Sequence, residues 1–283
     1  MEINQIVPSG PYEDSGRLFT SCADDYVRYR PSHPARLHRQ LESVIADGPQ
    51  PAHLLDLGCG PGTVAIALAE RGIKVTAVDA SAEMLEAGKS WAAERKASGI
   101  EWLTADAHKL TQAGLPEGIT GVTIGDAFHW FDRARVLGEL DRLVQPGGFV
   151  ALIGYRYPAT PREWWTPMVT QLRKKYLGSA TIAGPGQSYI EPQGSHEDLM
   201  RRSAFSELTV HRIDYQAVYT LDQIVGVQRT YAYSSPAVLG DRWEDFEMDL
   251  RAILSAVQPD GVFRADLQAS LIVGRRPHDA RHF

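Results

Sequence analysis

Short apolar runs alternate with amphipathic stretches through the first half of the chain. The runs at 53–57 and 74–78 are short enough for buried strands, and apolar residues at helical spacing follow each of them. This alternation is typical of a parallel sheet with right-handed crossovers. The predicted elements are strand 53–57, helix 63–71, strand 74–78, helix 81–97, strand 100–103, a weak helical segment near His108, strand 121–124, helix 133–144 and strand 149–154.

The alternation stops on either side of this core. Before it, Pro34 can open a helix that carries four apolar residues on one face: Leu37, Leu41, Val44 and Ile45. After it, the pattern predicts helices 164–177 and 195–202, strand 208–219, helices 221–234 and 241–257, and strand 268–274.

These elements predict an α/β fold with a seven-stranded, mostly parallel sheet. Helices are expected after the fifth strand and again before the last strand. They are expected to pack over the carboxyl ends of the strands and to form a lid, because ligands in such sheets bind at those ends. The expected division is a helical lead-in at 1–50, a ligand-binding core at 51–157, a substrate lid at 158–203, and strands six and seven with inserted helices at 204–283.

A glycine-rich turn follows the first predicted strand. Residues 54–62 read LLDLGCGPG, and the three glycines let backbone amides approach a ligand without a Cβ in the way. The next helix presents free N–H groups and the positive end of its dipole. The second strand ends at Asp79, whose carboxylate can accept hydrogen bonds from both hydroxyls of a ribose. Together these features predict a ligand with a ribose, the alternative for Asp79 being a helix cap.

The spacing of the glycines favours S-adenosylmethionine (SAM) over a dinucleotide. In a G-x-G-x-x-G motif the third glycine would stand at position 63, which is Thr63, and here it comes one residue early at Gly62. Pro61 also removes an amide where a pyrophosphate would need a donor. The G-x-G-x-G spacing, with Asp56 in the strand before it, resembles motif I of the class I SAM-dependent methyltransferases. In that family the turn holds the amino-acid end of the cofactor, which carries no phosphate.

Composition and charge limit the classes of partner that the chain is expected to bind. The chain has 283 residues, 43% of them hydrophobic, and a formal net charge of -6 with no basic block, which argues against a nucleic-acid substrate held by its phosphates. Two cysteines, Cys22 and Cys59, form no disulfide framework, and a reducing cytoplasmic setting fits. We see no signal peptide, no apolar run long enough for a membrane helix, and no metal-ligand spacing. We therefore expect no membrane partner and no metal, and the sequence indicates no oligomeric state.

A second motif follows the fourth predicted strand, where residues 125–132 read GDAFHWFD. This run closely resembles the type 11 group of class I methyltransferases and its trans-aconitate methyltransferase-like branch. The lead-in also resembles that branch, in which it folds over the cofactor, through Phe19, Tyr26, Tyr29, Arg30 and Pro31. The resemblance covers nearly the whole chain and is loose across the lid. It implies the Rossmann-like class I methyltransferase fold, with SAM as cofactor and S-adenosylhomocysteine (SAH) as product.

The resemblance also implies cofactor contacts. Asp106 is expected at the adenine amino group, the next amide at a ring nitrogen, and Met84 either against the adenine face or in the core of its helix. Asp126 departs from the branch, which often has a neutral polar residue there. The expected cofactor residues are Tyr29, Arg30, Asp56, Gly58, Cys59, Gly60, Gly62, Asp79, Ala80, Met84, Asp106, Ala107, Asp126 and Ala127.

His129 is the candidate catalytic residue. A hydroxyl or protonated amine acceptor is helped by a base, and the ordinary pKa of histidine lies near working pH; the alternative is a packing histidine. A carboxylate acceptor needs no base but needs an arginine, such as Arg30 or Arg156. The expected substrate pocket is aromatic, although its two tryptophans could instead anchor a helix to the core: Trp130, Tyr155, Tyr157, Trp164, Trp165 and Tyr231.

These inferences lead to one preferred function. The chain is expected to be a SAM-dependent methyltransferase that acts on an oxygen or nitrogen of a small molecule, as a tailoring enzyme or on a carboxylate. The alternatives are a nicotinamide-dependent oxidoreductase and a non-catalytic SAM-binding protein. A macromolecular substrate ranks below these, because the N-P-P-Y type motif for base amines is absent after the fourth strand.

Overall fold

The computed structural model describes residues 22–154, 163–178 and 194–277, and a seven-stranded sheet runs through them. The spatial order is β3-β2-β1-β4-β5-β7-β6, with β7 antiparallel to both of its neighbours and the other pairs parallel. This confirms the predicted α/β, mostly parallel architecture. The strands are β1 (His53–Leu57), β2 (Lys74–Asp79), β3 (Ile100–Thr104), β4 (Ile119–Gly125), β5 (Val144–Gly154), β6 (Glu207–Thr220) and β7 (Val262–Arg275).

Helices cover both faces of the sheet and the region beyond its strand ends. None of those in the described part of the chain is both long and apolar enough to cross a membrane. They are α1 (Ala23–Tyr29), α2 (Ala35–Ala46), α3 (Thr63–Ala69), α4 (Ala82–Glu94), α5 (Arg133–Leu143), α6 (Thr166–Leu177), α7 (His196–Arg201), α8 (Leu221–Gln228), α9 (Pro236–Leu239) and α10 (Trp243–Val257), with short 3-10 turns at Leu110–Gln112, Phe128–Trp130 and Gly240–Arg242.

Two hydrophobic clusters lie on the two faces of the sheet. Successive side chains of a strand point to opposite faces, so Leu54 joins the cluster under α2 and α3 while Leu55 joins the cluster under α5. All five residues of β1 are buried, as expected for a central parallel strand covered on both sides. These clusters hold the carboxyl ends of β1, β2 and β4 in fixed positions.

A third hydrophobic cluster joins helices α6, α8 and α10, named here the lid helices, to β6 and β7. The last strand pairs with β6 along its whole length, from Val262 to Arg275, and among the described residues it pairs with β5 from Ser270 onward. The first half of β7 and the second half of β6 therefore extend past the described end of β5, and this extension is named here the overhang. Helices α6, α8 and α10 pack around the overhang through Val169, Ile224 and Phe246.

The structure differs from several of the predicted elements. Strand β7 begins at Val262 and not at position 268, because its first half pairs with β6 and alternates buried with exposed residues. Strand β5 begins at Val144, which pairs with Ile119 before an irregularity in the register. Helix α1 was not predicted, since Ala23 is its one buried residue and its sequence lacks an apolar stripe.

Candidate functional site

A cavity of about 1500 Å³ opens at the carboxyl ends of β1, β2 and β4 and is closed on the far side by lid helices. This is the edge at which open α/β sheets bind ligands. Part of its lining comes from the loops after β1 to β4. The rest comes from the end of α1, from α6, from the start of α7, from α8 with the segment after it, and from β6 and β7.

The glycine turn and Asp79 form one hydrogen-bonded unit at the cavity wall. The Gly60 amide donates to Asp79 Oδ2 at 2.8 Å, and the Ser81 amide donates to Oδ1 at 2.9 Å. A carboxylate has about four acceptor sites, so Asp79 keeps acceptor capacity for a ligand hydroxyl. Gly60 has a φ of +54°, and a Cβ there would meet no atom within 4 Å, so the turn leaves open space beside its backbone. Burial raises the pKa of Asp79, against the effect of these amide bonds.

Asp56 supports the turn from beneath. Its side chain accepts hydrogen bonds from the Ala65 amide at 3.0 Å and from the Thr123 hydroxyl at 2.7 Å, which tie β1 to α3 and β4. Burial raises the pKa of Asp56 to about 6. The residue lies outside the lining of the large cavity, and both of its oxygens serve the protein itself.

Two other residues of the turn also face the protein interior. Gly62 begins α3 with a φ of +80°, and a Cβ there would lie 2.5 Å from the Trp102 ring. Cys59 is buried in the cluster under α3. Neither residue lines the large cavity, whereas Gly58 and Gly60 do.

The end of the cavity beside β3 carries the residues expected around an adenine. Asp106, Ala107, Ala80 and Met84 all line it. Asp106 Oδ1 accepts hydrogen bonds from the amide and from Nδ1 of His108, each at 2.8 Å. Partial burial would raise the pKa of Asp106, but these two bonds outweigh it and the pKa is lowered. Asp106 is therefore ionised at neutral pH, and its Oδ2 lies 3.9 Å from Lys109 Nζ.

Asp126 occupies a strained position where β4 ends. Its φ is +49°, its amide donates to the Ile153 carbonyl at 2.8 Å, and its Oδ2 lies 3.2 Å from Nε2 of the buried His33. A non-glycine residue at positive φ needs its surroundings to hold it. The His33 contact and the strand β5 contact do so, and both Asp126 and Ala127 line the cavity.

His129 lies in the 3-10 turn after β4, and its ring packs on Trp130 with 5.0 Å between centroids. Burial lowers the pKa of His129, with Arg30 and Arg133 acting in the same direction, so its imidazole is neutral at neutral pH. A neutral imidazole can accept a proton. The cavity therefore has a candidate base at the position where the sequence predicted one.

His196, from α7, is a second neutral imidazole in the same wall. Arg133 Nη1 lies 3.2 Å from His196 Nδ1, and since arginine can only donate, Nδ1 accepts and Nε2 carries the proton. Burial, followed by the charge of Arg133, lowers the pKa of His196 to about 4. Sequence reasoning missed this residue, because only the fold brings it against Phe128, with ring centroids 5.2 Å apart.

Arg30, at the end of α1, joins the core to the lid. Its guanidinium lies over the rings of Tyr26 and Tyr231, at 4.8 and 4.5 Å, and Nη2 donates to the Thr230 carbonyl at 3.1 Å. Arg30 lines the cavity, while Tyr29 turns away and packs on the backbone of α8 at Gly226.

The expected aromatic pocket is brought together in part. Trp130, Trp165 and Tyr231 line the cavity. Trp164 does not, since it is 42% exposed and stacks on Phe263 with centroids 5.8 Å apart. Tyr155 and Tyr157 lie outside the described residues, as do Phe19 and Arg156. Lid residues that sequence reasoning did not assign to the pocket include Arg173, Tyr215, Tyr219 and Gln228.

The residues present fit the cofactor that the motifs implied. Ionisable carboxylates stand at the ends of two neighbouring strands, the apolar Met84 lines the same cavity, and the turn beside them leaves room for a ligand at Gly60. The described residues hold no group of three or more His, Cys, Asp or Glu side chains that could bind a metal ion.

Comparison with known proteins gives a consistent result. The methyltransferase domain family, type 11, matches residues 55–152. An uncharacterized methyltransferase of Mycobacterium bovis is 33% identical over 165 residues, which cover 55% of this chain and 80% of that protein. The malonyl-[acyl-carrier protein] O-methyltransferase of Pseudescherichia vulneris is 30% identical over 171 residues, covering 55% of this chain and 65% of that protein.

The fold is shared with solved methyltransferase structures. Phosphoethanolamine N-methyltransferase 2 of Haemonchus contortus, solved with phosphomonomethylethanolamine and SAH, aligns with a TM-score of 0.52 at 16% identity, over 94% of this chain and 59% of that one. The chain spans about half the length, 53%, of the first curated relatives that it matches.

Proposed function

We infer the activity from one premise: this chain belongs to the type 11 methyltransferase domain family, within the class I SAM-dependent methyltransferases. We propose that it transfers a methyl group from SAM to an oxygen or nitrogen atom of a small molecule. The observation that carries the proposal is the unit formed by Gly60 and Asp79, which presents open backbone and a two-oxygen acceptor to one cavity.

Bound SAM supplies a methyl group on a positively charged sulfur, which an in-line nucleophile can attack. Asp79 would accept hydrogen bonds from the ribose hydroxyls, and Asp106 would accept one from the adenine amino group. Both roles need anionic or strongly accepting oxygens, which these residues provide. Arg30 and Asp126 would bind the charged amino-acid end, since they carry opposite charges and lie on the same side of the cavity.

The lid side of the cavity would hold the acceptor. Aromatic rings of the lid exclude water, and positioning contributes a large share of the rate in a reaction between two bound molecules. His129 would take a proton from the acceptor atom at its neutral ring. His196 would donate a hydrogen bond from Nε2 and hold the acceptor in place. A relative that methylates a malonyl carrier protein on oxygen supports an oxygen acceptor as one branch of this proposal.

Calorimetric titration tests the proposal directly. We expect micromolar binding of SAM and SAH and no binding of NADH. Incubation with methyl-labelled SAM and panels of small hydroxyl, amine and carboxylate compounds should then give labelled product. Binding of NADH without SAM would refute the proposal in favour of an oxidoreductase, and SAM binding without transfer to any class of acceptor would favour a non-catalytic SAM-binding protein.

A further inference from the structure

Two stacked tyrosines connect two arginines on the lid wall of the cavity. The rings of Tyr231 and Tyr233 are 5.0 Å apart and nearly parallel, at 12°, and are named here the tyrosine pair. The guanidinium of Arg30 lies 4.5 Å from the Tyr231 centroid, and that of Arg173, from α6, lies 4.5 Å from the Tyr233 centroid. All four residues line the cavity.

Each arginine keeps a buried donor without an acceptor. Nε of Arg30 and Nε of Arg173 are inaccessible to solvent and have no hydrogen-bond partner among the described residues. Nη2 of Arg173 donates to the Thr170 hydroxyl at 3.0 Å, one turn earlier on the same helix. A buried donor without a partner is destabilising, and more so when it is charged, so a pair on one cavity wall needs an explanation.

Another stacked arginine shows what Arg173 lacks. Arg229 lies 4.6 Å from the Trp243 centroid, and its Nη2 donates to Glu247 at 2.7 Å, so its charge is neutralised inside the protein. Arg173 has no carboxylate within ion-pair distance in the described part of the chain. A guanidinium that lines the cavity, is held by stacking on Tyr233 and has no internal carboxylate partner is suited to bind a carboxylate or a phosphate.

We propose that Arg173 binds an anionic group of the acceptor that is not itself methylated, and thereby determines specificity. This inference rests on the proposed function, since it concerns the acceptor half of the same cavity. The tyrosine pair provides a flat apolar wall beside the anion site, and Arg30 stands at the other end of the pair, nearer to Asp126 and His129. The acceptor is therefore an anion with an apolar or planar body, carrying a carboxylate or a phosphate.

Calorimetry with small probes on the SAH-saturated protein tests this inference. The probes are benzoate, phenyl phosphate and the neutral benzamide, each at up to about 10 mM, where millimolar affinity is measurable. We expect at least one anion to bind at least about tenfold more tightly than benzamide. Binding of benzoate alone would indicate a carboxylate acceptor, and binding of phenyl phosphate alone a phosphate ester. Failure of both anions to bind, or equal binding of benzamide, would overturn the inference.

Variants connect the binding to Arg173. Arg173→Gln should weaken binding of the anion about tenfold or more, and Arg173→Lys should restore part of it. The matched control is Arg229→Gln, a stacked arginine outside the cavity, which should bind the anion as the wild type does. An Arg173→Gln variant with unchanged anion affinity would overturn the inference. SAH affinity is measured first, for the wild type and every variant, and it separates the two proposals. A wild-type protein that does not bind SAH refutes the proposed function. A wild-type protein that binds SAH but no anion refutes the anion site alone.

Discussion

Replacing Asp79 by alanine tests two tasks of this carboxylate, which two different measurements can separate. The side chain closes the glycine turn by accepting from the Gly60 and Ser81 amides, and it would also accept from the ribose. The variant therefore removes internal acceptors and ligand acceptors together. Loss of the internal bonds leaves two amide donors at the cavity wall and should lower the free energy of unfolding by about 1–3 kcal/mol.

The effect on binding follows from the ligand bonds. A hydrogen bond to a charged acceptor contributes about 1.5–3 kcal/mol. Burial raises the pKa of Asp79 because it disfavours the charged form, and this offsets part of the binding energy that the carboxylate contributes. We expect SAH affinity to fall by about 1–3 kcal/mol, which is roughly 5- to 150-fold in Kd.

Calorimetric titration with SAH measures the binding term, and urea unfolding measures the stability term. Asp141→Asn is the control, because Asp141 lies on α5, bonds Arg276 at 2.9 Å and is remote from the cavity lining. It should leave SAH affinity unchanged. If Asp79→Ala loses stability but binds SAH with wild-type affinity, Asp79 only closes the turn, and our assignment of the ribose contact is refuted.

Three further outcomes are expected. His129→Gln should slow methyl transfer by about 10²-fold with SAH affinity within about twofold of wild type, and full-speed transfer would leave His129 a packing role. Folding raises the pKa of Asp56 from 3.8 to about 6, so its contribution to the free energy of unfolding is complete below pH 4 and is lost as the pH rises through 6, a loss on the order of 3 kcal/mol. Asp56→Asn should remove this dependence of the unfolding free energy on pH, as measured by urea titrations at pH 4 to 7. Gly226→Ala should lower the melting temperature by several degrees, because the new Cβ would stand 2.3 Å from the Tyr29 ring, and an unchanged melting temperature would show that α1 is not held there.

The fold was predictable where local patterns and burial agree. Strand β1 is buried on both sides and reads as one apolar run, and its boundaries were predicted correctly. Strand β7 was predicted too short, since residues 262–267 alternate buried and exposed positions and their pairing with β6 depends on a partner about fifty residues away. Helix α1 has no apolar stripe and owes its position to contacts with α4 and α8, which sequence periodicity does not report.

The residues of the site also divide into those that local patterns predicted and those that they did not. Motif residues such as Gly60 and Asp79 were recognisable from the glycine spacing and the strand end, but the hydrogen bond between them, across 19 residues of sequence, was not predicted. Contacts of the lid join distant segments: Arg30 donates to a carbonyl 200 residues away, and Arg173 reaches the cavity through the packing of α6. The sequence carries no local signal for these contacts. Trp164 was predicted in the pocket and does not line it. Its neighbour Trp165 turns inward, while Trp164 covers the outer face of the overhang.

The overhang of β6 and β7 makes the protein modular. The cofactor half rests on the two clusters of the sheet, and the acceptor half rests on the third cluster, with Tyr215 packed against both the first and the third. Substitutions that reshape the third cluster can therefore change which molecule is accepted without altering the turn that presents Asp79. Variation of the acceptor would therefore be sought in this strand pair and the helices packed on it, and not in the glycine turn.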